Sequence, residues 1–247
     1  MKKTLYDYLD EIAALPVKSS YTKEEILIPS LLVEKEEPIE IYYAPHNEYM
    51  NSEARIFIVG ITPGFQQMST AIAAARQGIE EGKSIQQIQY ECKVAGRFSG
   101  VLRKNIISML DEIGLNQNLQ IVSCSELFGT QEQLLHTISL IPYSVFVKGK
   151  NYSGHTPKLI KNQLLMSYVY DNFLSEYEQL KEKERLVIIP LGSAVEEVLC
   201  LLMEEGLIQN NCVLKGFPHP SGANVNRIPK LMEEKQQMME FLQEHIS

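Results

Sequence analysis

The chain has 247 residues, a formal net charge of −8 and 45% hydrophobic residues. That supports one α/β domain with a full core and excludes a disordered class. No apolar run nears the roughly 18 residues that a bilayer crossing needs. The opening Met1-Lys2-Lys3-Thr4-Leu5 lacks a leader-like apolar stretch, so a cytoplasmic protein with no membrane partner is expected.

Residues 4–15 predict a short amphipathic helix with Leu5, Tyr8, Leu9 and Ile12 on one face, stopped before Pro16. Residues 1–50 read as this helix and an irregular wrap, in which Pro29, Pro38 and Pro45 leave room for short strands near 31–33 and 39–43. Residues 51–247 read as the main domain, the whole forming one unit. Ile56-Phe57-Ile58-Val59 predicts a strand ended by Gly60, and residues 69–77 a helix. Residues 100–113 predict another helix, with Gly114 as its stop.

A second strand is expected over 119–124, a helix near 131–140, a loop over 143–157 and a long helix over 158–183. Residues 186–189 predict a buried strand. Ser193 then caps a helix to 203, with Glu196 three residues on as capping partner. Val213-Leu214 is a last short strand, and 229–246 an amphipathic helix. Apolar strands alternating with helices predict a three-layer α/β/α fold around a mostly parallel, four-stranded central sheet. Ligands in such folds bind beyond the carboxyl ends of the strands.

Cys92, Cys124, Cys200 and Cys212 are too widely spaced for a metal pair and read as reduced core thiols. No dinucleotide, P-loop, HExxH or GxSxG pattern is present, so neither cofactor nor metal is expected. Charge is uneven. Residues 1–50 carry ten acids against five lysines, whereas 133–170 hold no acid and four lysines: Lys148, Lys150, Lys158 and Lys161. Such a local basic surface steers polyanions even on an acidic protein. Tyr152 and His155 stand among those lysines.

Two runs carry the most chemistry: Gly60-Ile61-Thr62-Pro63-Gly64 after the first strand, and Pro218-His219-Pro220-Ser221-Gly222-Ala223-Asn224 near the end. Together they resemble the two active-site loops of the uracil-DNA glycosylase superfamily, nearest its mismatch-specific and single-strand-selective branches. The resemblance spans about residues 55–227. Gly96-Arg97-Phe98-Ser99-Gly100 is similar to the segment that supplies a base-stacking aromatic.

The resemblance implies a metal-free, monofunctional DNA glycosylase that hydrolyses the N-glycosidic bond of a deaminated or modified base flipped from single- or double-stranded DNA, as in base-excision repair. It assigns His219 to stabilising the departing base, Thr62 to placing the water and Phe98 to stacking. Gly60, Ile61, Pro63, Gly64, Phe65 and Ser123 would contact substrate. Ser221, Gly222, Ala223, Asn224, Lys148 and Lys150 would contact DNA.

Thr62 stands where stronger enzymes of the superfamily place a carboxylate, so it positions water without acting as a general base. Ser123 stands for a base-reading amide, and Ala223 for a bulky wedge. Gly64, where the most uracil-selective relatives have a tyrosine, leaves room for larger bases. Two other classes stay open: a catalytically weakened superfamily member that binds nucleic acid or a protein partner, and a hydrolase of free nucleosides or nucleotides.

Overall fold

The computed structural model describes residues 3–181 and 183–246. Met1 and Lys2 of the opening segment, and Glu182 of the expected 158–183 helix, lie outside them. The strands are β1 (Leu32–Glu36), β2 (Ile39–Tyr42), β3 (Ile56–Gly60), β4 (Leu135–Ser139), β5 (Ser144–Val147), β6 (Lys150–Asn151) and β7 (Val187–Pro190). The helices are α1 (Leu9–Ala13), α2 (Lys23–Ile26), α3 (Phe65–Glu80), α4 (Ile85–Gly96), α5 (Val101–Glu112), α6 (Leu115–Asn118), α7 (Gln163–Tyr168), α8 (Leu174–Gln179), α9 (Ser193–Glu204) and α10 (Arg227–Ile246).

The chain is an α/β protein built on a parallel sheet of order β4-β3-β7. A single parallel bridge from Ile188 to Val213 extends it, so the expected fourth strand is reduced to one bridge. Every residue of β3 is buried, because both sheet faces are covered. Phe57 and Val59 join one core, and Ile56 and Ile58 join the other. Residues of α3, α7 and α9 line the first core, and those of α5 and α10 the second, giving three layers.

A second, antiparallel sheet runs β1-β2-β5-β6. Through the β2–β5 pairing, Ile41 opposite Val145 among others, the N-terminal strands are hydrogen-bonded to the segment that follows β4.

The structure corrects four of the expected elements. Residues 119–124 form no strand: Gln120 takes a left-handed φ of 57°. Asp111 accepts from the Ser123 hydroxyl (2.8 Å) and the Cys124 N–H (2.6 Å), fixing a turn into a short helix. The sheet instead takes Leu135–Ser139, expected to be helical.

The polar residues of β4 are buried with partners from elsewhere. His136 pairs with Glu176 at 3.0 Å, Lys93 donates to the Thr137 carbonyl, and Asn51 donates to the Leu135 carbonyl at 3.0 Å. Residues 144–151, expected as loop, form a hairpin turning at Lys148 and Gly149, both at positive φ (50° and 70°), the geometry that suits a two-residue hairpin. In place of one long 158–183 helix, α7 begins only at Gln163, capped by Asn162 Oδ1 accepting from the Leu165 N–H at 2.9 Å, and a π-helical turn over Val169–Phe173 joins it to α8, which ends at Gln179.

Candidate active-site cleft

A cleft of about 970 Å³ opens beyond the carboxyl ends of β3, β4 and β7. Its lining includes Gly60, Ile61, Thr62 and Gly64 from the first turn, Phe98 and Leu102, and Ser139 at the end of β4. It also includes Asn151, Tyr152, Ser153 and His155, the 191–194 turn, and His219, Ser221, Gly222 and Asn224. Thr62, Phe98 and His219 therefore face one cavity. Pro63, Phe65, Ala223, Lys148 and Lys150 do not line it, and neither does Ser123, whose hydroxyl is held by Asp111.

The His219 turn is fixed from several sides. The Ser221 N–H donates to His219 Nδ1 at 3.2 Å. Asn224 Nδ2 donates to the His219 carbonyl at 3.0 Å, and Asn105 of α5 donates to the Pro220 carbonyl at 2.7 Å. Gly192, at φ 93°, lets the backbone approach: a Cβ there would lie 2.9 Å from the Cβ of His219. The His219 ring is open to the cleft yet walled by protein, and this desolvation lowers its pKa. A neutral imidazole accepting at Nδ1 carries its proton on Nε2. The cleft thus receives an N–H donor without a positive charge.

Thr62 is tied into the framework. Its hydroxyl donates to the Tyr143 carbonyl at 2.5 Å and accepts from the Val145 N–H at 3.0 Å. Its proton is committed, and only one lone pair is left for a water. Phe98 is 6% exposed and takes a left-handed φ of 44°. That conformation is costly for an aromatic residue, and it holds the ring edge 3.7 Å from where a Cβ on Gly60 would stand.

Asn151, Ser139 and Gln67 line the cleft and were missed from sequence. Gln67 is spent on the frame, accepting from the Gly64 N–H at 3.2 Å and donating to the Gly96 carbonyl at 3.0 Å. Asn151 Oδ1 accepts from the Phe65 N–H at 3.1 Å. The Lys-Gly step at 148–149 between apolar residues and Asn151 was the available hairpin signal.

Glu196, Glu233, Glu234 and Lys230 also line the cleft. Glu196 is not a capping partner for Ser193: its carboxylate accepts from the Gly216 N–H at 2.8 Å, and Gly192 is the helix cap. Gly64, Leu102 and Ser193 bring the N-terminal turns of α3, α5 and α9 to the cleft. Partial positive charge at helix N-termini favours anions without any lysine.

Lys158 pairs with Glu197 at 2.5 Å, which removes one charge from the basic stretch, while Lys148 and Lys150 are not buried. Cys92, Cys124 and Cys212 are buried, Cys200 partly so, and all four are free thiols. Among the described residues no group of three His, Cys, Asp or Glu side chains is arranged to hold a metal ion, and no helix is long and apolar enough to cross a membrane.

No protein-family model matches the chain. The crystal structure of wild-type SMUG2 from Pedobacter heparinus aligns over 97% of this chain and 98% of that one, at 12% identity and a TM-score of 0.46, too loose a likeness to argue from. The uncharacterized protein YoxB of Bacillus subtilis (strain 168) is 38% identical over 237 residues, covering 96% of this chain and 91% of YoxB. At that identity and over nearly the full length of both, the chain belongs to the same family as YoxB.

Proposed function

We propose that the protein is a DNA glycosylase that hydrolyses the N-glycosidic bond of a deaminated or modified base turned out of the stack into this cleft. One observation carries the reading: the 60–64 turn, Phe98 and the His219 turn, far apart in sequence, line one cavity. As the bond breaks, the electron pair stays with the base and positive charge grows on the sugar. The His219 Nε2–H donates to a base carbonyl oxygen where that negative charge develops. The N-terminal turns of α3 and α9 add to the stabilisation.

Phe98 packs on the base face. Water adds to the sugar carbon and gives its proton to solvent, and the anionic base takes one up. Thr62, its own proton held by Tyr143, contributes an acceptor at most, so the rate rests on how well the base leaves. Lys148, Lys150, Ser221 and Asn224 are read as backbone contacts that fix register. Residues 1–50 are read as part of the same domain, joined to it by the β2–β5 pairing.

Glu196, Glu233 and Glu234 on the cleft wall repel phosphates and so favour a second reading, hydrolysis of free nucleosides. Both are tested by incubation with end-labelled oligonucleotides carrying uracil, hypoxanthine, xanthine or 5-hydroxymethyluracil, followed by alkali, alongside the matching free nucleosides. Strand scission that falls at least a hundredfold in His219→Ala supports the glycosylase. Base release from nucleosides alone moves the assignment to the second reading, and tight DNA binding without scission in the wild type refutes catalysis on DNA.

A further inference from the structure

We propose that the open edge of the parallel sheet, at residues 212–214, docks an extended peptide segment of a partner protein. The segment adds one parallel strand between the layers of α9 and α10, with a basic residue at its N-terminal end and an acidic one at its C-terminal end. The site shares no lining residue with the base cleft and does not rest on the glycosylase reading. The Cys212 carbonyl accepts from the Ile188 N–H at 2.7 Å, and the Leu214 N–H donates to the Ile188 carbonyl at 2.9 Å. In a parallel ladder this turns the N–H and C=O of Val213 to the opposite side. There they meet no partner among the described residues, although Val213 is only 3% exposed. Buried backbone groups are almost always paired, so this pair is left for a strand that the chain does not supply.

The opposite edge of the same sheet is closed. Along β4, Asn51 donates to the Leu135 carbonyl at 3.0 Å and Lys93 donates to the Thr137 carbonyl, which blocks strand addition. At Val213 no described side chain does so, and a groove of about 900 Å³ opens instead. Met203 of α9 comes to it from one core, and Met238 and Phe241 of α10 from the other. The groove is therefore the open end of the three-layer sandwich, with the sheet edge as its floor and an apolar wall on each side. A strand laid there has both faces covered, as β3 has, and calls for a continuous apolar run.

Charge sets its direction. Helices α9 and α10 both run away from the base cleft, and their last turns bring Glu204 and Glu244 to one end of the groove, with Asn210 and Asn211. Lys215, where the chain turns back toward the cleft, marks the other end. None of these three charged side chains makes an ion pair among the described residues. An apolar strand with lysine first and aspartate last matches both ends only when it runs parallel to 212–214.

The test uses fluorescence anisotropy with a labelled peptide, Lys-Val-Ile-Val-Asp, blocked at both ends. Binding should saturate and should slow alkylation of Cys200, the partly exposed thiol on the groove wall, at least fivefold. The peptide Asp-Val-Ile-Val-Lys should bind at least tenfold more weakly, and Lys215→Glu, at an exposed position, should remove most of that preference. Methylating the backbone nitrogen of the second valine, whose N–H would meet the Val213 carbonyl, should also weaken binding at least tenfold.

No binding of Lys-Val-Ile-Val-Asp, or binding that leaves Cys200 alkylation unchanged, overturns the site. Equal binding of the N-methylated peptide overturns strand addition, because apolar burial alone would survive the methyl group. Equal binding of the two charge orders by wild type overturns the assigned direction and, with it, the match to a partner of this chemistry.

Discussion

Replacing Thr62 by valine keeps the shape of the side chain and removes its hydroxyl. That hydroxyl bonds the Tyr143 carbonyl and the Val145 N–H, at 2.5 and 3.0 Å, and both residues are buried. Each hydrogen bond contributes about 1 kcal/mol net, and a buried partner left without one costs roughly 1–3 kcal/mol, so the pair sums to about 2–4 kcal/mol. For a chain of this length that lowers the melting temperature by roughly 4–16 °C, measurable by circular dichroism or calorimetry. Base release by the folded variant should fall less than tenfold, because the hydroxyl proton serves the framework and not the water. A Thr62→Val protein that melts with wild type but has lost base release would refute this reasoning and return Thr62 to the chemistry.

Two further perturbations separate packing from chemistry. Gly192→Ala should destabilise by about 2–4 kcal/mol through backbone strain and overpacking together, since its Cβ would meet His219 at 2.9 Å. Gly206→Ala shares the positive φ but has open space around it, so it should show only the backbone cost and keep base release. Equal melting shifts in the two variants would contradict the close approach. Acid should weaken the fold well before the carboxylates titrate. Burial lowers the pKa of His46 to about 3 and lowers that of His136. Both are 2% exposed or less, so the unfolded chain binds protons that the native state refuses below about pH 6.5. This stability is present above that pH and is lost as pH falls toward the folded pKa values, at about 2 kcal/mol from His46 between pH 7 and 5. The denaturant midpoint should drop accordingly, and His46→Gln should flatten the drop. A midpoint as high at pH 5 as at pH 7 would contradict the buried neutral histidine.

The layered core was legible because β3 and β7 are unbroken apolar runs, which only a sheet covered on both faces accommodates. The 60–64 and 218–224 turns were legible through their Gly, Pro and His content. β4 was not, because His136, Thr137 and Ser139 look too polar for an interior strand. They are tolerated there only because Glu176, Lys93 and other distant groups meet the strand's polar atoms. The run 119–124 misled for the converse reason: its apolar residues suit a strand, but Asp111 captures Ser123 and Cys124 into a cap. Short apolar runs do not by themselves distinguish a strand from a turn. Asn151 was hidden because its place on the cleft depends on the 144–151 hairpin and on the Phe65 N–H, 86 residues away in sequence.

The acidic balance of the chain, at first sight at odds with a polyanion substrate, is less so in the cleft itself. In the proposed reaction the anion that matters is the departing base, a single delocalised charge in a partly desolvated site. Lys230 shares the cleft wall with Glu196, Glu233 and Glu234, and a lysine drawn to those carboxylates would have to be pulled away at the moment of reaction. Backbone N–H groups of α3 and α9 and a neutral histidine need no such rearrangement, because their dipoles are already fixed by the fold. Close approaches make this possible: Gly154 admits Ile61 and Ala194 at distances no Cβ would allow, and Gly192 admits His219. The chemistry therefore depends on loop packing more than on net charge. If the proposed function holds, raising salt should weaken DNA binding through Lys148 and Lys150 while leaving the turnover of bound base nearly unchanged.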